Sequence, residues 1–215
     1  MKIAVILAGS GVFDGSEIHE ATLTLLALDQ AGVQYQCMAP NIAQSANVNH
    51  LNNESLSTPR NVFEESARIA RGDILDLKDA KVADYDAVII PGGFGVALNL
   101  CDFALKGSDC QVDKQVEDLI LGFYQERKVI GAMCIAPALI AKVLGKEDVL
   151  VSIGNDEGTA DAIEACGAIH ENCAVDEILV DEANRVVTTP AYMLATGPAE
   201  AWSGIEKLVK KVINF

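Results

Sequence analysis

Hydrophobic positions fall into two rhythms that alternate along the chain. Short continuous apolar runs, KIAVILA near the start and DAVIIP at Asp86 to Pro91, have the length expected of parallel strands buried on both faces. Longer amphipathic stretches separate such runs. EIHEATLTLLALDQAG carries helical periodicity and is followed by the strand-like VQYQCMAP, so a βαβ unit opens the chain. The helical pattern QVDKQVEDLILGFYQERK, the strand KVIGAM and the helix APALIAKVLG follow in that order. Such alternation predicts an α/β fold with a doubly wound, mostly parallel sheet and helices on both faces, flavodoxin-like in character.

The rhythm changes near the end. DEILVDEANRVVTTPAYM reads as two strands across a polar turn, Glu182 to Arg185, hence a late β-hairpin, and Gly197-Pro198 opens a last helix to about Asn214. The stretch from about residue 41 to 83 has Asn/Ser-rich pieces and one helical run, NVFEESARIARG, and is expected as an insertion on the sheet edge. No internal repeat and no second apolar core interrupts residues 1–215, so one domain is expected.

Composition narrows the function. Half of the 215 residues are hydrophobic and 22% are charged, as in a globular protein that buries roughly 70% of its unfolded surface. A net charge of −15 repels phosphate backbones and anionic lipid, so neither nucleic acid nor a membrane surface is an expected partner. The basic cluster Lys207, Lys210 and Lys211 suits the last turns of a helix. The first residues are apolar but run directly into Gly, Asp and Glu, and read as a buried strand rather than a signal segment. Six cysteines without a CxxC spacing point to reduced thiols and no metal site, and hence to a cytoplasmic location.

In open α/β sheets ligands bind beyond the carboxyl ends of the strands, which directs attention to Gly9–Gly15, Cys37, Gly92–Gly95 and Cys134. Cys134 stands at the turn from KVIGAM into APALIA, where the positive end of a helix favours a thiolate. It is a candidate nucleophile; the competing reading is a small buried residue like its neighbours Met133 and Ile135. In PGGFG, the glycines after a strand can present bare N–H groups, making Gly93 and Ile135 candidate oxyanion donors, or can simply make a turn. Glu17 and Glu20 open the first helix, where carboxylates suit the dipole. A glutamate beside a thiolate would have a raised pKa and could shuttle protons; Glu20 is the first candidate and Glu17 the reserve. His19 is the only one of three histidines near this region and is an accessory candidate or an ordinary surface residue. GSGVFDG has only part of a dinucleotide fingerprint, its third glycine is misplaced, and Asp14 and Glu17 would repel a pyrophosphate.

With strand-GG, strand-Cys-helix and a first-helix glutamate in this order, the chain resembles the ThiJ/PfpI superfamily, whose fold is similar to class I glutamine amidotransferase domains. GVFDGSEIHE, RNVFEESARIARG, PGGFGVALNL and MCIAPA look like its enhancing-lycopene-biosynthesis branch, the ElbB-type glyoxalases. The resemblance implies that Cys134 is the nucleophile, Glu20 the proton-bearing glutamate and Gly93 the oxyanion-loop glycine. It also implies a homodimer, a link to isoprenoid biosynthesis and a cofactor-independent conversion of a small dicarbonyl such as glyoxal to glycolate. Deglycation of aldehyde adducts by the same thiol, or redox sensing by Cys134, are the alternatives. The chain departs from the wider superfamily in having Ile135 where many relatives place a histidine, and it lacks the downstream His-Glu pair of the amidotransferases. Glutamine hydrolysis and peptide hydrolysis are therefore not expected.

Overall fold

The computed structural model describes residues 1–215. Seven strands form the main sheet: β1 Lys2–Ile6, β2 Gln34–Ala39, β3 Ile74–Asp76, β4 Ala87–Ile90, β5 Val129–Met133, β6 Leu179–Asp181 and β7 Val186–Thr189. Their spatial order is β6-β7-β5-β4-β1-β2-β3. Every neighbouring pair is parallel except β6 with β7, which form the late antiparallel hairpin. From β1 the chain winds outward through β2 to β3, then returns to start the other half at β4. The direction of winding thus reverses between β1 and β4, and a crevice opens beyond their carboxyl ends.

Side chains alternate across this sheet as the pleat requires. Ile3, Val5 and Leu7 enter one apolar layer, while Ala4, Ile6 and Ala8 enter the other. The first layer is covered by α1 Ile18–Gln30 and α6 Pro198–Ile213, which pack on each other, with α2 Val62–Ile69 beside them. The second is covered by α3 Lys114–Gln125, α4 Ala136–Leu144 and α5 Glu157–Ala165. Because β4 and β5 are shielded on both sides, all nine of their residues are buried, which is why DAVIIP and KVIGAM show no alternation in sequence.

The expected edge insertion is smaller than residues 41–83. Its later part supplies α2 and then β3, which pairs in parallel with β2 and completes the regular winding of the sheet. β3 is only three residues long, too short for a clear strand pattern. The added material is the earlier part, which contains the short antiparallel pair Val48–Asn49 and Glu54–Ser55. It is fastened to the loop after β1 by Asp14. This fully buried carboxylate accepts from the Val48 N–H at 2.7 Å and pairs with Arg60 at 3.2 Å. The lysines near the carboxyl end bond to nearby acids, Lys207 to Glu177, Lys210 to Glu206 and Lys211 to Glu182.

Candidate active site

Four loops meet at the crevice: those following β1, β4, β5 and β7. Cys134 follows β5 at once, in a two-residue turn into α4, with φ +59, a backbone conformation that costs a non-glycine residue energy. The turn is held because the Cys134 N–H donates to the Thr189 carbonyl at the end of β7, 3.1 Å away. A sharp strand-to-helix turn of this kind aims the side chain into the crevice. The residue is 7% exposed.

The loop after β4 lies against it. Gly92 has no room for a side chain: a Cβ there would strike the Cys134 Cβ and come within 2.6 Å of Glu20 Oε2 and 2.9 Å of Cys134 Sγ. At Gly93, φ +99, a Cβ would strike the Glu17 nitrogen and the Gly15 carbonyl of the loop after β1. Further bonds join these loops: Glu17 N–H to the Gly92 carbonyl at 2.9 Å and Gly95 N–H to the Gly15 carbonyl at 2.9 Å. The amides of Gly93 and Ile135 lie where they act on the Cys134 sulfur, so the two candidate donors and the candidate nucleophile are brought together.

Glu20 lies in the first turn of α1 and is fully buried. Oε2 accepts from the Gly92 N–H at 2.7 Å and Oε1 from the Tyr192 N–H at 3.1 Å, and the carboxyl flanks Gly92 together with the Cys134 sulfur. Burial pushes its pKa up to about 7, against the pull of the Tyr192 amide, and the nearby Glu17 charge pushes the same way. The Cys134 thiol is held well above its ordinary range, first by burial and then by the Glu20 carboxylate, while the amides of Gly93 and Ile135 oppose this. The expectation of a resting thiolate is therefore corrected. The positive end of α4 is outweighed by desolvation, which favours the protonated thiol.

Glu17 has another task. It is the N-cap of α1, and its Oε2 accepts from the Glu20 N–H at 2.7 Å. His19 is exposed and shares a 2.7 Å hydrogen bond with the Tyr192 hydroxyl, away from the sulfur–carboxyl pair. The loop after β7, with Thr189 and Tyr192, was not singled out by sequence reasoning. Its signal was present, since VVTTPAYM is a strand followed by proline, and a hairpin's second strand running parallel to β5 must end beside Cys134. Beyond the sulfur a cavity of about 420 Å³ opens to solvent, bounded in part by Gly93, Cys134, Ile135 and Tyr192.

No protein-family model matches the chain. It is 46% identical to the human glutamine amidotransferase-like class 1 domain-containing protein 3, mitochondrial, an alignment covering all of this chain and 83% of that protein. The ES1 protein homolog, mitochondrial, of Rattus norvegicus is 44% identical over all of this chain and 84% of its own length. Among solved structures, an isoprenoid biosynthesis protein with an amidotransferase-like domain from Ehrlichia chaffeensis superposes with a TM-score of 0.93 at 35% identity. That match covers 100% of this chain and 98% of the other. A ThiJ/PfpI domain protein from Brachyspira murdochii shares the fold at a TM-score of 0.60 and 14% identity, over 100% and 96% of the two chains. These curated relatives are mitochondrial proteins, which overturns the cytoplasmic expectation. Free thiols distinguish reducing from oxidising surroundings; they do not separate one reducing compartment from another. The strand order and the relatives agree: the chain belongs to the glutamine amidotransferase-like class 1 domain proteins and shares its fold with ThiJ/PfpI proteins.

Proposed function

We propose that this protein is a cofactor-independent glyoxalase that converts glyoxal to glycolate. The observation that carries the reading is the buried pair of Cys134 and Glu20 against Gly92, a thiol beside a carboxyl group whose pKa, pushed up to about 7 by burial, lets it take and return a proton near neutrality. In the proposed cycle the ionised Glu20 accepts the thiol proton as Cys134 adds to one aldehyde carbon, giving a hemithioacetal. Negative charge passes from sulfur to the former carbonyl oxygen, two bonds away, within reach of donors on the order of 3 Å from either atom. Gly93 and Ile135 fill that role. Glu20 then moves the hydrogen of the sulfur-bearing carbon, as a proton, to the neighbouring carbon through an enediol. The first carbon is oxidised by two electrons to a thioester as the second is reduced by two to an alcohol. Water cleaves the thioester, releasing glycolate, a proton and the free thiol.

Cys134→Ala tests the reading directly. Purified variant should lose glyoxal turnover to background while keeping its fold by circular dichroism; a variant as fast as wild type overturns the proposal. Deglycation would use the same thiol, and an independent aldehyde scavenger separates the two: adduct repair that persists when free aldehyde is trapped favours a dedicated deglycase. Burial that keeps Cys134 protonated disfavours peroxide sensing, which proceeds through the thiolate.

A further inference from the structure

A group of cysteines outside the sulfur–carboxyl pair gathers where the chain doubles back on itself. After Gly95 a π-helical turn, Val96–Leu100, leads to Cys101, and the chain returns through the one-turn helix Phe103–Lys106 and a tight turn to Cys110. The two arms run antiparallel. The Asp102 N–H donates to the Gln111 carbonyl at 3.1 Å, the Asp113 N–H donates to the Leu100 carbonyl at 2.8 Å, and Cys101 stands opposite Val112. Alternation along the returning arm turns Cys110 to the face of Val112, and hence to that of Cys101. Both cysteines are buried in one apolar layer, with Phe103 beside them. Cys166, at the end of α5, closes on the same turn, its Sγ 4.0 Å from the Ser108 carbonyl, and Lys142 Nζ donates to that carbonyl at 2.7 Å.

The surroundings divide the two thiols. Cys101 is driven up, first by Cys110 and then by burial, whereas Cys110 is drawn down by Cys101 and by the Lys142 charge, against the cost of its burial. Cys37, Cys134, Cys166 and Cys173 are all raised, chiefly by burial. Cys110 is therefore the sulfur best prepared to ionise and attack, with a protonated thiol as its neighbour. It is also shallow. Asp109 and Gln111 on either side of it are exposed, as are Ala104, Leu105 and Lys106, so local opening of one short loop uncovers the sulfur.

We infer that Cys101 and Cys110 form a reversible disulfide, a redox site separate from Cys134 whose oxidant is a hydroperoxide. The Cys110 thiolate attacks the O–O bond and takes one oxygen as a sulfenic acid, while the other oxygen leaves as water or an alcohol with the proton that the thiol gave up. Cys101 then attacks the Cys110 sulfur, the S–O bond breaks, and the oxygen departs as water with the Cys101 proton. The two sulfurs lose two electrons in all, and the peroxide gains them. The new bond closes residues 101–110 into a ring that carries Phe103 and Ala104, which help to wall the cavity in front of Cys134.

The test treats the reduced, folded, full-length protein with one equivalent of hydrogen peroxide, blocks free thiols with iodoacetamide and digests the denatured protein with trypsin without reduction. Cleavage after Lys106 separates the two cysteines, so a disulfide appears as two peptides joined through Cys101 and Cys110. The joined species should form in wild type and equally in Cys134→Ala, and dithiothreitol should part it. In Cys101→Ser the Cys110 sulfenic acid loses its partner and should be captured by dimedone. The wild-type digest decides by itself should that variant not fold. Both thiols found alkylated after peroxide, Cys110 joined to Cys166 instead, or a linkage lost in Cys134→Ala overturns the inference, and none of these results bears on glyoxal turnover.

Discussion

At the scale of single residues, the site depends on the absence of one methyl group. A Cβ on Gly92 would strike both Cys134 and Glu20, and its N–H donates to the glutamate, whereas the sequence directs attention to Gly93. Gly92→Ala should lower kcat/KM on glyoxal by on the order of a hundredfold, because displacing the sulfur or the carboxylate by about 1 Å is costly, and it should lower the melting temperature as well. Initial rates and a thermal melt on the same preparation check both. The placement of Cys134 at a strand-to-helix turn was legible because KVIGAM ends there, but its protonation state was not. That depends on how many neighbours exclude water from the sulfur, a property of three loops distant in sequence. The choice between Glu17 and Glu20 was likewise closed to one-dimensional reading, since both lie in the same helical turn and only the direction of each side chain separates them.

At the scale of elements, α1 both begins the site and tunes it. Its N-cap is a glutamate whose side chain fills a backbone bonding position and whose charge raises the pKa of Glu20. Glu17→Gln keeps an oxygen to accept the Glu20 N–H but removes the charge. The rise of glyoxal kcat/KM with pH, expected near 7 in the wild type as Glu20 ionises, should therefore move to lower pH, with the plateau within about an order of magnitude of wild type. A proton-shuttling Glu17 would instead bring the plateau down to background. The major strands and helices could be read from periodicity, since burial on two faces makes strands continuous and burial on one face makes helices amphipathic. β3 escaped because three residues carry too little pattern, and α5, with only one fully buried side chain, carries too weak an apolar stripe. The loop after β7 escaped because sheet order brings it beside β5, and sheet order is a relation among strands that no local window contains.

For the whole molecule, the buried carboxyl ties function to stability. Between about pH 4.5 and 7 the folded protein holds a Glu20 proton that the unfolded chain has released, so raising the pH through that window pulls the equilibrium toward unfolding. The contribution is about 3 kcal/mol for a shift of this size. Urea unfolding at steps from pH 5 to 8 should show wild-type stability falling relative to Glu20→Gln, and parallel curves for the two proteins would contradict it. Glu20 also bonds two strand ends together, Gly92 after β4 and Tyr192 after β7, with Cys134 after β5 packed beside them. A glutamine amide can accept from only one of the two backbone N–H groups, so even the nearest isostere leaves one buried donor unmet. The position is thus closed to gradual replacement: a descendant that drifts away from glutamate must rebuild the meeting of these loops in the same step. An inactive protein that keeps its shape, as a control in cells would require, should therefore be made at the sulfur and not at the carboxylate.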